Sequence, residues 1–185
     1  LRSRQEYTLF ETAVGTCGIA WQVAGNGSAA PLVTAFQLPE ATARLVAART
    51  RSGSPPVKAR VVVPGIAALI NRVQRHFGGE PQDFRDVVVE LAGVGDFARA
   101  VYKAARRIPA GKTLTYGELA RAIGRPGAAR AVGQALARNP IPLIIPCHRV
   151  LAAGNRPGGF SAPGGLATKA KMLGLEGEGF TGKAG

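Results

Sequence analysis

Two residues in this chain could do covalent chemistry together. They are Cys147 and His148, adjacent in the run Pro146-Cys147-His148-Arg149. The nucleophilic form of cysteine is the thiolate, and an ordinary thiol with a pKa of about 8.5 holds only a few per cent of it at neutral pH. A reactive cysteine therefore needs a base, and His148 is the nearest candidate. Neighbours on a regular strand point to opposite faces. The pair can cooperate only if the backbone bends here or a water bridges them, and Pro146 favours a bend. A carboxylate would complete the set by holding the other imidazole nitrogen. The acids of the second half are Glu90, Asp96, Glu118, Glu176 and Glu178, and Glu118 is expected to be engaged in a helix cap. The plainer alternative is an inert core thiol. A metal site is disfavoured, because Cys17, Cys147, His76 and His148 are the only good transition-metal ligands and lack paired spacing. Cys17 reads as a small apolar strand residue, and His76 as a surface residue of a helix.

Short elements must carry these side chains. Asp96 is expected to cap a helix with the apolar face Phe97, Val101, Ala104 and Ile108, stopped by Pro109-Ala110-Gly111. Thr115-Tyr116-Gly117-Glu118 has capping-box spacing and opens a helix through Ile123 that ends at Gly124. After Arg125-Pro126-Gly127, another helix is expected over about 128–138, stopped by Asn139-Pro140. Two short helices around a glycine turn have the form of a helix-turn-helix. An apolar strand over 141–145 then leads into the Cys-His pair. A glycine-rich loop over 154–165 and a last helix through Leu173 follow, and the tail from Gly177 is expected to be loose.

The first half reads as α/β. Strands are expected over 7–14 and 17–23, joined by a tight turn, and over 32–36 after a turn cluster at 24–30. Pro39 opens a helical stretch over 40–49, and 51–56 is a loop. Ile66, Leu69, Ile70, Val73 and Phe77 fall at helical spacing and predict a helix over 64–77. Val87-Val88-Val89 suggests a closing strand within 84–91. The run LAGVG marks the boundary, giving an N-terminal domain over 1–93 and a second over 94–185.

With 185 residues, 46% of them hydrophobic and 19% charged, the chain can bury the core of one large or two small domains. Two cysteines are too few for a disulfide scaffold. Arg2, Arg4 and Glu6 stand where a signal peptide would be apolar. No apolar run approaches the ~18 residues a membrane span needs. The expectation is a cytoplasmic protein with reduced thiols and no membrane partner. The net charge is +13, and residues 90–185 hold 14 Lys/Arg against 5 Asp/Glu, whereas 1–89 hold 10 against 6. That excess points to a polyanion, nucleic acid first.

The run NPIPLIIPCHRV at 139–150 resembles the active-site segment of the O6-alkylguanine-DNA alkyltransferases. The resemblance runs back through IPAGK at 108–112, TYGE at 115–118 and ARAVG at 129–133, and forward to Gly159-Phe160-Ser161, Lys169 and Leu175-Glu176-Gly177. It covers about residues 96–177. The first half shares only the general α/β character of the family's N-terminal domain. Phe160 replaces a common tyrosine, and Ala100 stands where glutamine is usual.

The resemblance implies an α+β protein: an N-terminal α/β, ribonuclease-H-like domain packed on a C-terminal winged-helix-like helix-turn-helix domain, acting as a monomer. It implies stoichiometric DNA repair, in which Cys147 takes an alkyl group, mainly methyl, from O6-alkylguanine in double-stranded DNA. O4-alkylthymine is a further candidate substrate. His148 would be the base, through a water, and Glu176 would orient it. Asn139 would brace the turn between the second helix and the active site. Tyr116 would donate to guanine N3, and Ser161 would contact O6. Arg130 would fill the gap left by a flipped nucleotide, and Ala129, Ala131 and Gly133 would let their helix enter the minor groove. No cofactor and no metal are implied.

This fits elementary chemistry. The alkyl carbon is sp3, the attack is an in-line displacement, and the leaving guanine oxyanion needs hydrogen-bond donors. A buried thiol cannot reach O6 in a stacked base, so the nucleotide must leave the duplex. Three other classes compete. A lesion-binding relative without chemistry would lack Cys147. A plain helix-turn-helix regulator would carry polar readers where Gly127, Ala128 and Ala129 stand. A cysteine hydrolase would need an oxyanion hole that nothing in the sequence marks.

Overall fold

The computed structural model describes residues 4–23, 30–40 and 57–177. Most of the expected helix over 40–49, the loop over 51–56, most of the turn cluster over 24–30 and the tail beyond Gly177 lie outside the described residues. The chain divides into two compact units, one reaching Gln82 and including Asp86–Leu91, the other holding Asp83–Arg85 and everything from Ala92 on. Helices and sheets together make a mixed α+β fold.

In the first unit, β1 (Arg4–Thr12) pairs antiparallel with β2 (Gly15–Val23), from Arg4 opposite Val23 to Thr12 opposite Gly15. The strand expected over 7–14 thus ends earlier, and Ala13 and Val14 form the turn. Thr12 holds it, its hydroxyl donating to Gly15 O at 2.7 Å and accepting from Val14 N–H at 3.3 Å. Gly15 needs a φ of +123°, which only glycine adopts without strain. β3 (Leu32–Gln37) flanks β2, and β4 (Val57–Lys58) lies parallel beside β1. The sheet order is β3-β2-β1-β4. The inner strand β2 has Cys17, Ile19, Ala20 and Trp21 fully buried, so it reads as an apolar run rather than an alternation.

Helix α1 (Pro64–Phe77) starts on Pro64, whose fixed φ suits a first turn. It buries Ile66, Leu69, Val73 and Phe77, each contributing about 1.5–3 kcal/mol of transfer free energy before ordering costs. Two expectations are corrected here. His76 is not a surface residue: it is 1% exposed, and its Nδ1 accepts from Gln82 N–H at 3.1 Å, where the chain turns back past the helix end. Residues 84–91 are not a strand. Asp83 folds the chain by accepting from Arg85 N–H at 2.9 Å, leaving one bridge between Val33 and Val89.

The second unit begins with α2 (Asp96–Ala105). Asp96 is its first helical residue rather than its cap; Gly95 is the N-cap and makes no side-chain cap bond. The acid suits the positive end of the helix dipole without capping it. The buried face is Val101, Tyr102 and Ala105, continued by Ile108, so the apolar stripe runs through Tyr102 rather than Ala104. Strand β5 (Leu114–Thr115) leads into α3 (Tyr116–Ala122), which carries the full capping box: Thr115 Oγ1 accepts from Glu118 N–H at 3.2 Å, and Glu118 accepts from Thr115 N–H at 2.6 Å. Gly124 and Gly127, at φ +70° and +87°, make the turn to α4 (Ala129–Ala137).

The apolar strand expected over 141–145 does not form. Pro140 and Pro142 cannot donate to a ladder. Instead, Asn139 takes the place of backbone pairing, accepting from Ile141 N–H at 3.0 Å and donating to Ile145 O at 2.8 Å. Leu143 adopts a φ of +72°, and the run becomes a buried loop. A 3-10 turn (Cys147–Arg149) follows, then β6 (Val150–Leu151), parallel to β5. Helix α5 (Gly165–Leu175) closes the unit. No described helix is long and apolar enough to cross a membrane.

Candidate active site

The bend demanded by the Cys-His pair is the 3-10 turn itself. Cys147 N–H donates to Ile145 O at 2.8 Å, and Arg149 N–H to Pro146 O at 3.0 Å, which winds the three residues off any strand line. His148 is fully buried, and its Nε2 lies 2.8 Å from Glu176 Oε1, just beyond α5. Of the acids left open by the sequence, Glu176 is the one beside the imidazole.

Glu176 also receives Arg149, whose Nε and Nη2 reach its two oxygens at 3.0 and 2.8 Å. Arg149 Nη1 donates to Ile108 O at 2.6 Å. The carboxylate is thus bidentate to one cation and bonded to the imidazole, which offsets the desolvation of a buried charge. Sequence reasoning missed Arg149, one more basic residue in a basic chain. Its signal was its place one position beyond His148.

Cys147 is 8% exposed and lines a cavity of about 500 Å³. Helix α4 supplies one wall with Ala129, Arg130, Gly133 and Ala137. Tyr116, from the first turn of α3, supplies another. The glycine-rich loop supplies Gly159, Phe160 and Ser161. Six expected site residues therefore share the cavity: Cys147, Tyr116, Arg130, Ser161, Ala129 and Gly133. His148, Glu176 and Asn139 stand behind it, and Ala131 lies on the exposed side of α4 toward a second hollow.

The loop keeps its place through Tyr116, whose hydroxyl donates to Gly159 O at 3.3 Å. Gly158, at φ +67°, crosses so close to the ring that a Cβ there would sit 2.8 Å from Tyr116 Cε2.

Lys169 is the second residue that sequence reasoning left without a role. It is fully buried on α5, and its Nζ donates to Val150 O at 2.6 Å, Pro157 O at 2.7 Å and Gly159 O at 3.4 Å. The ammonium lies 5.8 Å from the Tyr116 ring centre and 6.0 Å from that of Phe160. Burial pushes Lys169 down to about 8, opposed by the attraction of Cys147. Burial pushes the Cys147 thiol up, while the Asn139 side chain and Lys169 pull it back. Burial also raises Tyr116, as does the proximity of Cys147, keeping the phenol protonated as a donor. Cys17 is the contrast: buried in β2, it is pushed up to about 12 and is an inert thiol. Among the described residues no group of His, Cys, Asp and Glu could hold a metal ion.

Residues 96–178 match the family model described as 6-O-methylguanine DNA methyltransferase, DNA binding domain. A methylated-DNA–protein-cysteine methyltransferase of Mycolicibacterium paratuberculosis is 44% identical over 110 residues, 60% of this chain and 64% of its own length. Its counterpart in Mycobacterium tuberculosis H37Rv is 45% identical over 114 residues, 61% of this chain and 67% of its own. The chain thus spans about two thirds of the length of these curated relatives. The solved structure of Mycobacterium tuberculosis OGT in complex with DNA superposes with a TM-score of 0.70 at 35% identity, covering 92% of each chain. Since that likeness extends over both units and the sequence match over the one that holds Cys147, the chain belongs to the methylated-DNA–protein-cysteine methyltransferase family.

Proposed function

We propose that this protein repairs DNA by moving an alkyl group, mainly methyl, from O6 of guanine in duplex DNA to Cys147, once per molecule. The observation that carries the proposal is Cys147 lining a cavity walled by Tyr116, the small-residue helix α4 and the glycine-rich loop, with His148 and Glu176 2.8 Å apart behind it. The Cys147 proton passes through a water to His148, whose charge Glu176 balances. The sulfur attacks the sp3 carbon, the C–O bond breaks, and its electron pair stays on the guanine oxygen. Tyr116 donates to ring N3 and Ser161 to O6, and the guanine takes up the proton that the thiol gave away. The thioether has no facile reverse, so the protein is consumed and no cofactor enters.

Reaching a stacked base requires flipping. In this reading α4 enters the minor groove on Ala129, Ala131 and Gly133, and exposed Arg130 fills the vacated stack. Asn139 braces the exit of α4 against the thiol. The first unit is read as ribonuclease-H-like and the second as winged-helix-like, with the protein acting in the cytoplasm as a monomer. O4-alkylthymine is a second candidate substrate.

The test is intact-protein mass after incubation with duplex DNA carrying one O6-methylguanine, followed by peptide mapping. A gain of one methylene mass on Cys147, stopping at one equivalent and absent in Cys147→Ala, is expected. Transfer in Cys147→Ala, or tight lesion binding with no mass gain in the parent, would overturn it.

A further inference from the structure

Tyr102 takes no part in the chemistry just described, yet it joins three of its parts. It sits on the buried face of α2, 2% exposed. Its hydroxyl donates to Ala135 O at 2.8 Å, in the last turn of α4. The same carbonyl accepts Arg138 N–H at 3.1 Å. Two donors on one oxygen fix the point where α4 stops. The next residue is Asn139, whose side chain spans Ile141 N–H and Ile145 O. Ile145 O in turn holds Cys147 N–H at 2.8 Å. The path from Tyr102 to the thiol is therefore a chain of hydrogen bonds through one helix end and one side chain. The ring also borders a separate hollow of about 540 Å³, between the start of α2 and the outer face of α4.

We infer that Tyr102 is a positioning residue, whose hydroxyl locks the exit of α4 so that Asn139 keeps its place against Cys147. The inference rests on the reading of Cys147 as the acceptor. Asn139 pulls the thiol downward against the rise from burial, as Lys169 does. A looser Asn139 leaves Cys147 less acidic. The other groups around the sulfur are His148, Lys169 and Tyr116, together with the Tyr102 hydroxyl itself, which burial raises, as does Cys147, while Arg138 lowers it.

The variant is Tyr102→Phe, which removes one oxygen and leaves Ala135 O with its Arg138 partner. Alkylation is followed with O6-benzylguanine as free base and with duplex carrying O6-methylguanine, from pH 6.5 to 9. The expected result is a rate on both substrates about fivefold lower throughout pH 6.5 to 9, because burial keeps the thiol protonated over this range in parent and variant, with unchanged affinity for undamaged duplex. Amide exchange adds a second measurement: the Ile141 N–H, held by Asn139, should exchange faster in the variant. A parent-like rate on either substrate, a loss confined to duplex binding, or unchanged Ile141 protection would overturn the inference. A parent protein that gains no alkyl group would instead overturn the assignment of Cys147.

Discussion

His148 Nε2 and Glu176 Oε1 lie 2.8 Å apart with both side chains fully buried, although 28 residues separate them in the chain. The contact is possible because α5 ends at Leu175 with Glu176 as its C-cap, and Gly177, at φ +84°, turns the chain beyond it. Arg149 closes on the same carboxylate. Glu176 thus serves two neighbours at once: it holds an imidazole in one orientation and neutralises a buried guanidinium.

Those two services separate in Glu176→Gln. The amide keeps a hydrogen-bonding oxygen but loses the charge facing Arg149, and removing a charged partner from a buried bond costs about 1.5–3 kcal/mol. The melting temperature should fall by roughly 2–4 °C per kcal/mol for a chain of this size. Alkyl transfer by the folded fraction should slow as well, since an imidazolium formed at His148 no longer meets a carboxylate. Urea denaturation and single-turnover kinetics check the two effects. Parent-like values in both would remove Glu176 from the site.

Gly158 offers a steric test of the loop. In Gly158→Ala the new Cβ meets Tyr116 Cε2 at 2.8 Å and Oη at 3.0 Å, in a left-handed conformation that costs a non-glycine residue about 1–2 kcal/mol. The loop should shift off Tyr116, and reaction with both free base and duplex should slow, with little change in affinity for undamaged DNA. Tyrosine fluorescence and rate measurements read the shift; an unchanged rate would show that the loop does not set the donor.

Much of this site was legible because its chemistry is local in the chain. Cys147 and His148 are adjacent, Thr115 and Glu118 announce their cap, and Asn139-Pro140 marks the end of α4. What was hidden depends on contacts distant in sequence. The run 141–145 reads as a strand, since nothing local shows that Asn139 will take over its backbone bonds. Lys169 looks like a solvated helix residue until three carbonyls from β6 and the loop converge on it. His76 is buried only because the chain past α1 folds back onto it. The helix over 64–77 was readable to the residue, because a proline start and a 3.6-residue apolar period are both local signals.

Lys169 makes stability depend on pH in a defined direction. Its folded value is about 8, below the ordinary 10.5, so the unfolded chain binds more protons between those limits. Stability contributed by this group therefore rises as pH climbs from about 8 toward 10.5, and the penalty is fully present below 8. In Lys169→Met the penalty and the slope both vanish. The stability of the parent relative to Lys169→Met should grow by about 1–2 kcal/mol between pH 7 and 9.5. Urea titrations at the two pH values measure it, and parallel behaviour of the two proteins would show that the ammonium is not desolvated.

Arg130 tests the duplex-specific part of the reaction. It lines the cavity from the first turn of α4, is exposed, and has no ion-pair partner among the described residues. A free base needs no flipping, so a residue that fills the vacated stack contributes nothing to its reaction. Arg130→Ala should therefore slow repair of O6-methylguanine in duplex by one to two orders of magnitude, flipping costing about a few kcal/mol. Attack on free O6-benzylguanine should change by less than about twofold, since the exposed side chain leaves the core intact. Equal losses on both substrates would place Arg130 in the chemistry of the cavity instead. Equal retention would leave the intercalating role to another residue of α4, with exposed Gln134 next on the cavity wall.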